Sequence, residues 1–214
     1  MERGRFITIE GGEGAGKTTQ IAHAVAVLRN AGLDVLATRE PGGTALAERI
    51  RAVLLHADAE SMPETSELLL MFAARGVHLA NLVLPALQRG TWVVCDRFTD
   101  ATYAYQGGGR GLPVDFIREL ETRVQGSFRP DLTLLLDAPV DVAMARARAR
   151  NADQDADRFE REHRDFFERV RAAYLAIARA EPSRVRVIDA TAGIEHVSAA
   201  VQTVLSGYMQ GLRT

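Results

Sequence analysis

The residues best equipped for chemistry are Gly11-x-x-x-x-Gly16-Lys17-Thr18, inside "ITIEGGEGAGKTTQI" at 7–21. Four glycines fall within six positions, and Lys17, which follows at once, is the only lysine among 26 Lys and Arg residues. Without side chains in the way, a glycine-rich loop can turn its N–H groups inward around phosphate oxygens. A helix starting at the loop's end adds free N–H groups and the positive end of its dipole. Lys17 would then reach the β- and γ-phosphates, and the Thr18 hydroxyl would serve Mg²⁺. An ammonium is a compact point charge that fits such a nest, whereas a guanidinium is larger and forked. The candidate nucleotide-binding residues are therefore Gly11, Gly12, Glu13, Gly14, Ala15, Gly16, Lys17, Thr18 and Thr19.

A phosphate cradle needs a strand before it and a helix after it. Short apolar runs predict strands at Phe6–Glu10, Val35–Thr38, Thr91–Asp96, Leu132–Asp137 and Val185–Asp189. Helical patterns lie at 17–31, 44–56, 64–89, 113–125, 139–150, 158–180 and 194–210. Strands alternating with helices predict an α/β fold, with a five-stranded parallel sheet flanked by helices. Ligands of such sheets gather at the carboxyl ends of the strands. Those ends carry Glu10 and the glycines, Arg39, Asp96–Arg97, Asp137 and Asp189.

Composition narrows the classes. A chain of 214 residues with 47% hydrophobic and 25% charged residues predicts one globular domain, 1–214. A formal net charge of −2 gives no global basic field for a nucleic-acid polymer. Cys95 is the single cysteine, which excludes an internal disulfide, fits a reducing compartment and is expected to be an inert core residue. No secretory leader or stretch of about 20 apolar residues stands out, so a cytoplasmic protein with no membrane partner is expected. The histidines, His23, His56, His78, His163 and His196, show no metal-ligand spacing and are expected to be surface or structural. A GTPase would need an Asn-Lys-x-Asp motif, and Lys17 is the only lysine.

The remaining motifs are "TREPGGT" at 38–44, "MFAARGVHL" at 71–79, "CDRFTDATYAYQGGGRG" at 95–111 and "RPDLTLLLD" at 129–137. Together with the glycine loop, and in this order, they resemble the thymidylate kinase family along essentially the whole chain. The resemblance implies a P-loop nucleoside-monophosphate-kinase fold. It implies ATP-dependent phosphorylation of dTMP to dTDP for dTTP synthesis, with Mg²⁺. Arg39 and Arg97 match arginines that hold the acceptor phosphate, for which guanidinium forks are suited. Asp96 matches the carboxylate that organises Mg²⁺ and its waters. Glu13 matches a carboxylate near the sugar 3′-OH and the acceptor phosphate. Arg75 matches the base-contacting arginine. The family's stacking Phe stands four residues before that arginine, where this chain has Met71. Phe72 shares the helix face and is expected to stack on the base, with Met71 the alternative. Thr102 matches a polar position that hydrogen-bonds the base, and Tyr105 the aromatic that disfavours a 2′-OH. Gln106 lies beside it. Tyr103 is expected to be structural.

The stretch "ARARARNADQDADRFE" matches the family's short lid, about 146–158. Gly14 stands where one family branch carries a P-loop arginine, so the bacterial-type branch is implied, with its catalytic arginine in the lid. Arg150 is the first choice, then Arg146 and Arg158. The catalytic set is thus Lys17, Arg97, Glu13 and these three arginines. The family forms homodimers, which makes a homodimer the expected assembly. The rival readings are a P-loop kinase for another nucleoside monophosphate and a non-catalytic nucleotide-binding switch.

Overall fold

The computed structural model describes residues 3–55, 61–150, 159 and 162–212, the side chain of Arg150 excepted. Five parallel strands, β1 Phe6–Glu10, β2 Val35–Arg39, β3 Trp92–Asp96, β4 Leu132–Asp137 and β5 Val185–Asp189, form one sheet in the order β2-β3-β1-β4-β5. Position in the sheet explains the burial of each strand. All five residues of β1 and the "LTLLL" of β4 are buried, as parallel strands covered on both faces should be. The edge strands β2 and β5 leave residues exposed.

Among the described residues eight helical elements surround the sheet: α1 Lys17–Asn30, α2 Ala45–Leu55, α3 Glu64–Gln88, α4 at 99–109, α5 Val114–Gln125, α6 Val140–Arg150, α7 Arg164–Ala180 and α8 Ile194–Gly211. On one face, Ala24, Val25 and Leu28 of α1 and Val197, Val201 and Leu205 of α8 pack on Ile7, Ile9, Val94 and Leu134. On the other, Leu79, Val83 and Leu87 of α3 pack on Phe6, Val93 and Cys95. Burial pushes the Cys95 thiol well above its usual range, as an inert core residue requires.

Two elements differ from the sequence expectation. The helix α4 was not anticipated, because its threonines, tyrosines and glycines run against helix propensity. Packing overrides that: a Cβ on Gly108 would lie 2.7 Å from the Ala173 Cβ, and one on Gly109 would lie 2.4 Å from the Phe166 ring. The glycines let α4 lie directly against α7. Both α3 and α4 also widen to π-helix, at Leu79–Val83 and Tyr103–Gly109. The expectation that no stretch approaches membrane-spanning length also needs correction. By length and composition α3 is long and apolar enough to cross a bilayer. It buries Glu67, Arg75 and His78 in polar contacts and Phe72, Leu79 and Leu87 in the core, so one of its faces packs on the rest of the fold.

Candidate active site

The glycine loop joins β1 to α1. Gly11, Gly14 and Gly16 have positive φ angles (143°, 76° and 87°), and a Cβ on Gly14 would lie 1.9 Å from the Ala143 carbonyl oxygen of α6. Side chains are excluded here by backbone angle and by contact alike. Lys17 is buried and donates to the carbonyl oxygens of Gly11 and Gly12 at 3.2 and 2.9 Å. Burial and the nearby Arg97 cation lower its pKa. Thr18 and Thr19 are exposed at the start of α1.

Beside the loop lies an open cleft of about 600 Å³, the solvent at its mouth included. Glu13, Arg75, Arg97, Thr102, Tyr105 and Gln106 all line it, as do Glu40, Arg51, Leu55, Met71, Phe98, Ala101 and Phe159. Its two polar groups differ in construction. The first is centred on Arg97, just past β3, with φ 63°. Among the described residues no other non-glycine has positive φ, a conformation that carries strain of about 1–2 kcal/mol. Arg97 Nη1 donates to the Gly11 carbonyl (2.9 Å) and to the Tyr174 hydroxyl (3.2 Å), and Nη2 to Tyr105 (2.9 Å) and the Glu13 carboxylate. Burial alone would lower the Arg97 pKa, but Tyr105, Glu13, Tyr174 and Asp96 together raise it well above the usual value. The Tyr105 hydroxyl is pushed up, chiefly by burial.

Arg75 of α3 is the centre of the second group. Its Nε donates to Glu40 Oε2 (2.7 Å) and its Nη2 to the Thr102 hydroxyl (2.9 Å). The guanidinium lies 4.9 Å from the Phe72 ring centre and 5.0 Å from that of Phe98. The other Glu40 oxygen meets His78 Nδ1 at 2.9 Å, and His78 Nε2 meets the Thr38 hydroxyl at 2.8 Å. Arg75 is 3% exposed, yet its Nη1 has no hydrogen-bond partner among the described residues. Arg75 lines the cleft, so this donor can serve a group that enters it. Gln106 Nε2 donates to Glu67 Oε1 at 2.8 Å, which fixes the amide. Tyr103 donates to Glu121, consistent with a structural role.

Several expected site residues lie elsewhere. Phe72 is 2% exposed and packs with Leu68 and Ile117, beneath Arg75 and away from the cleft. The register of α3 turns the neighbouring Met71 to the cleft instead. Arg39 does not line the cleft: it is half exposed and pairs with Glu48 at 2.9 Å, while Arg51 of α2 lines it. Arg146 donates to the carbonyls of Ala190 and Thr191 (2.6 and 3.0 Å), past β5, and does not line the cleft. The side chain of Arg150 and the whole of Arg158 lie outside the described residues, as does His56.

Magnesium has a fitting place. Asp96 Oδ1 is buried without a hydrogen-bond partner among the described residues, and Thr18 is exposed at the end of the glycine loop. Among the described residues no three His, Cys, Asp or Glu cluster as a ready-made metal site. That suits an ion held mainly by phosphates and water.

The pattern of the thymidylate kinase family matches residues 9–201. The thymidylate kinase of Pseudomonas putida (strain W619) is 56% identical over 208 residues, 97% of this chain and 99% of the relative. That of Methylococcus capsulatus is 54% identical over 211 residues, 99% of each. This chain belongs to the thymidylate kinase family. The crystal structure of thymidylate kinase from Ehrlichia chaffeensis superposes with a TM-score of 0.75 at 34% identity, covering 95% of this chain and 99% of that one. The fold is therefore that of a P-loop nucleoside-monophosphate kinase, and family membership makes the chain a kinase, a phosphotransferase. A non-catalytic switch is not favoured. Residues that sequence reasoning passed over, Glu40 and Tyr174, are hydrogen-bond partners of the two arginines. Glu40 lies inside the quoted "TREPGGT", while Tyr174 sits in an ordinary amphipathic helix and gives no local signal.

Proposed function

We propose that this chain transfers the γ-phosphoryl group of ATP to the phosphate of dTMP, with Mg²⁺, as a single domain whose lid spans about 146–158. The observation that carries the reading is one cleft holding two separately braced arginines, Arg97 next to the glycine loop and Arg75 at the cleft's other polar group. A nucleoside monophosphate has the matching polarity, with a dianionic phosphate at one end and a hydrogen-bonding base at the other.

Gly11–Thr19 holds the ATP phosphates, and Lys17 exchanges its two loop carbonyls for phosphate oxygens. Arg97 holds the dTMP phosphate, and Glu13, released from it, accepts the sugar 3′-OH. Tyr105 packs against the sugar. Arg75 offers its unpaired Nη1 to the base, and Thr102 and Gln106 line that region. Met71, turned to the cleft, takes the stacking place expected of Phe72. Arg51 supplements or replaces Arg39 near the phosphate. When bound, Mg²⁺ offsets phosphate charge, with Asp96 and Thr18 holding it and its waters. An oxygen of the dTMP phosphate attacks the γ-phosphorus in line. The new P–O bond forms as the bond to the β–γ bridging oxygen breaks, and ADP leaves. The acceptor is already anionic, so no general base is needed. The protein's task is to position two polyanions and neutralise charge between them. Arg150 and Arg158 remain the candidate donors of the last positive charge. A cytoplasmic homodimer is the assembly that family membership supports.

The test is a coupled ADP-release assay with Mg·ATP and dTMP, dUMP, dCMP, UMP or AMP. Preference for dTMP is expected. Preference for another monophosphate would keep the phosphate cradle and overturn the base site; no transfer to any of them would overturn the reaction.

A further inference from the structure

We propose that Tyr174, together with Glu10 beneath it, is a positioning residue for Arg97, a brace that fixes the guanidinium for the acceptor phosphate. The inference rests on the reading of Arg97 as the ligand of that phosphate. Tyr174 lies on α7, 3% exposed, and its hydroxyl meets partners far away in the sequence. Its hydroxyl donates to Glu10 Oε2 at 2.8 Å and accepts from Arg97 Nη1 at 3.2 Å. Glu10, at the end of β1, is fully buried, and its Oε1 accepts the Phe98 backbone N–H at 2.7 Å. One carboxylate therefore holds Arg97 twice. It fixes the main chain one residue beyond, and through Tyr174 it fixes the guanidinium.

The need for such a brace follows from the local conformation. Arg97 has a left-handed backbone that a non-glycine residue keeps only when its surroundings over-determine it. Its side chain has several rotatable bonds, and on the reading above Nη2 must exchange Glu13 for the ligand. Nη1 is the side of the fork that stays, held by Gly11 and Tyr174. Packing alone does not require a tyrosine. Position 174 lies in an apolar cluster with Phe166, Phe167 and Val170, with its ring edge-on to Tyr105 at 6.4 Å, where a phenylalanine would fit equally well. The buried hydroxyl is there for its two polar partners. Burial, then Asp100, pushes the Glu10 carboxyl up to about 8. A carboxyl group kept buried at such a cost, two hydrogen bonds away from the Arg97 guanidinium, accords with a positioning role.

The experiment measures both Michaelis constants, kcat and the thermal midpoint for Tyr174→Phe and for Val170→Ala. The latter lies on the same buried helix face and carries no polar group of its own. A hydrogen bond to a charged group is lost in Tyr174→Phe, so KM for dTMP should rise about tenfold with KM for ATP within about twofold. Val170→Ala should lower the midpoint and leave the ratio of the two constants alone. Should Tyr174→Phe not fold, Glu10→Leu removes the acceptor while keeping the tyrosine, and the same split is expected. A dTMP KM within about twofold of wild type, or equal rises for both substrates, overturns the brace. Arg97→Ala separates the two claims. If it too leaves dTMP binding intact, the role of Arg97 fails; if it abolishes binding while Tyr174→Phe does not, only the brace fails.

Discussion

At the scale of the residue, what was legible was chemistry that is local in sequence. The glycine loop could be read because its backbone angles, its lysine and its threonine are contiguous. Arg75 and Arg97 could be placed by motif, but not the groups that aim them. Glu40 reaches Arg75 across 35 positions and Tyr174 reaches Glu10 across 164, distances at which spacing carries no information. Lys17 yields the plainest prediction. In Lys17→Ala the loop keeps its glycines and the helix its start, so circular dichroism and the thermal midpoint should change little while kcat falls by about 10²-fold or more. Wild-type kcat in that variant would sink the phosphate-cradle reading. Glu10 yields a pH prediction. Its folded pKa of about 8 lies above the usual 4.5, so the folded state holds a proton that the unfolded state releases. Stability from this group is therefore full below about pH 4.5 and is lost as pH rises towards 8. Glu10→Gln carries no charge in either state. It should unfold at a higher temperature than wild type at pH 8 and show a smaller difference at pH 5. A difference independent of pH would mean that Glu10 is ionised throughout.

At the scale of the element, the strands were legible because apolar, β-branched runs of five or six residues have few other uses. Their order was not, since every strand reads alike and the crossovers decide the sequence of neighbours. The helix at 99–109 was hidden because its residues disfavour a helix in isolation, and only α7 makes it favourable. That dependence can be tested at Gly109. An alanine there would drive its Cβ into the Phe166 ring, which is buried and has little room to move. Overpacking of this kind costs about 1–3 kcal/mol. Because α4 carries Thr102, Tyr105 and Gln106, its displacement should also raise KM for dTMP several-fold. Thermal unfolding and steady-state kinetics on Gly109→Ala check both parts. A stable protein with weakened dTMP binding, or the reverse, would show that the seat of α4 and the shape of the cleft are independent.

At the scale of the whole molecule, the cleft is assembled from segments that meet nowhere in sequence: the glycine loop after β1, the turn after β2, and α2, α3 and α4, with α7 bracing it from behind. The net charge of −2 gives no general attraction for anions, so the positive groups Arg51, Arg75 and Arg97 must act as a local feature. A ligand that bridges them ties the first half of the chain together and binds only the folded state. Linkage then requires a rise in stability of about 2.7 kcal/mol at a hundredfold excess over Kd. For a chain of this size that corresponds to roughly 5–10 °C in the midpoint. Saturating dTMP without ATP should produce this shift, because Arg51, Arg75 and Arg97 all lie outside the glycine loop that holds ATP. UMP, with its 2′-OH against Tyr105, should produce a much smaller one at the same concentration. Equal shifts for the two would remove the sugar-discriminating role from Tyr105. A dTMP shift that needs ATP first would mean that the acceptor cleft is completed only by donor binding, and that the arrangement of Arg97 with Glu13, Tyr105 and Tyr174 is not the one that receives the ligand.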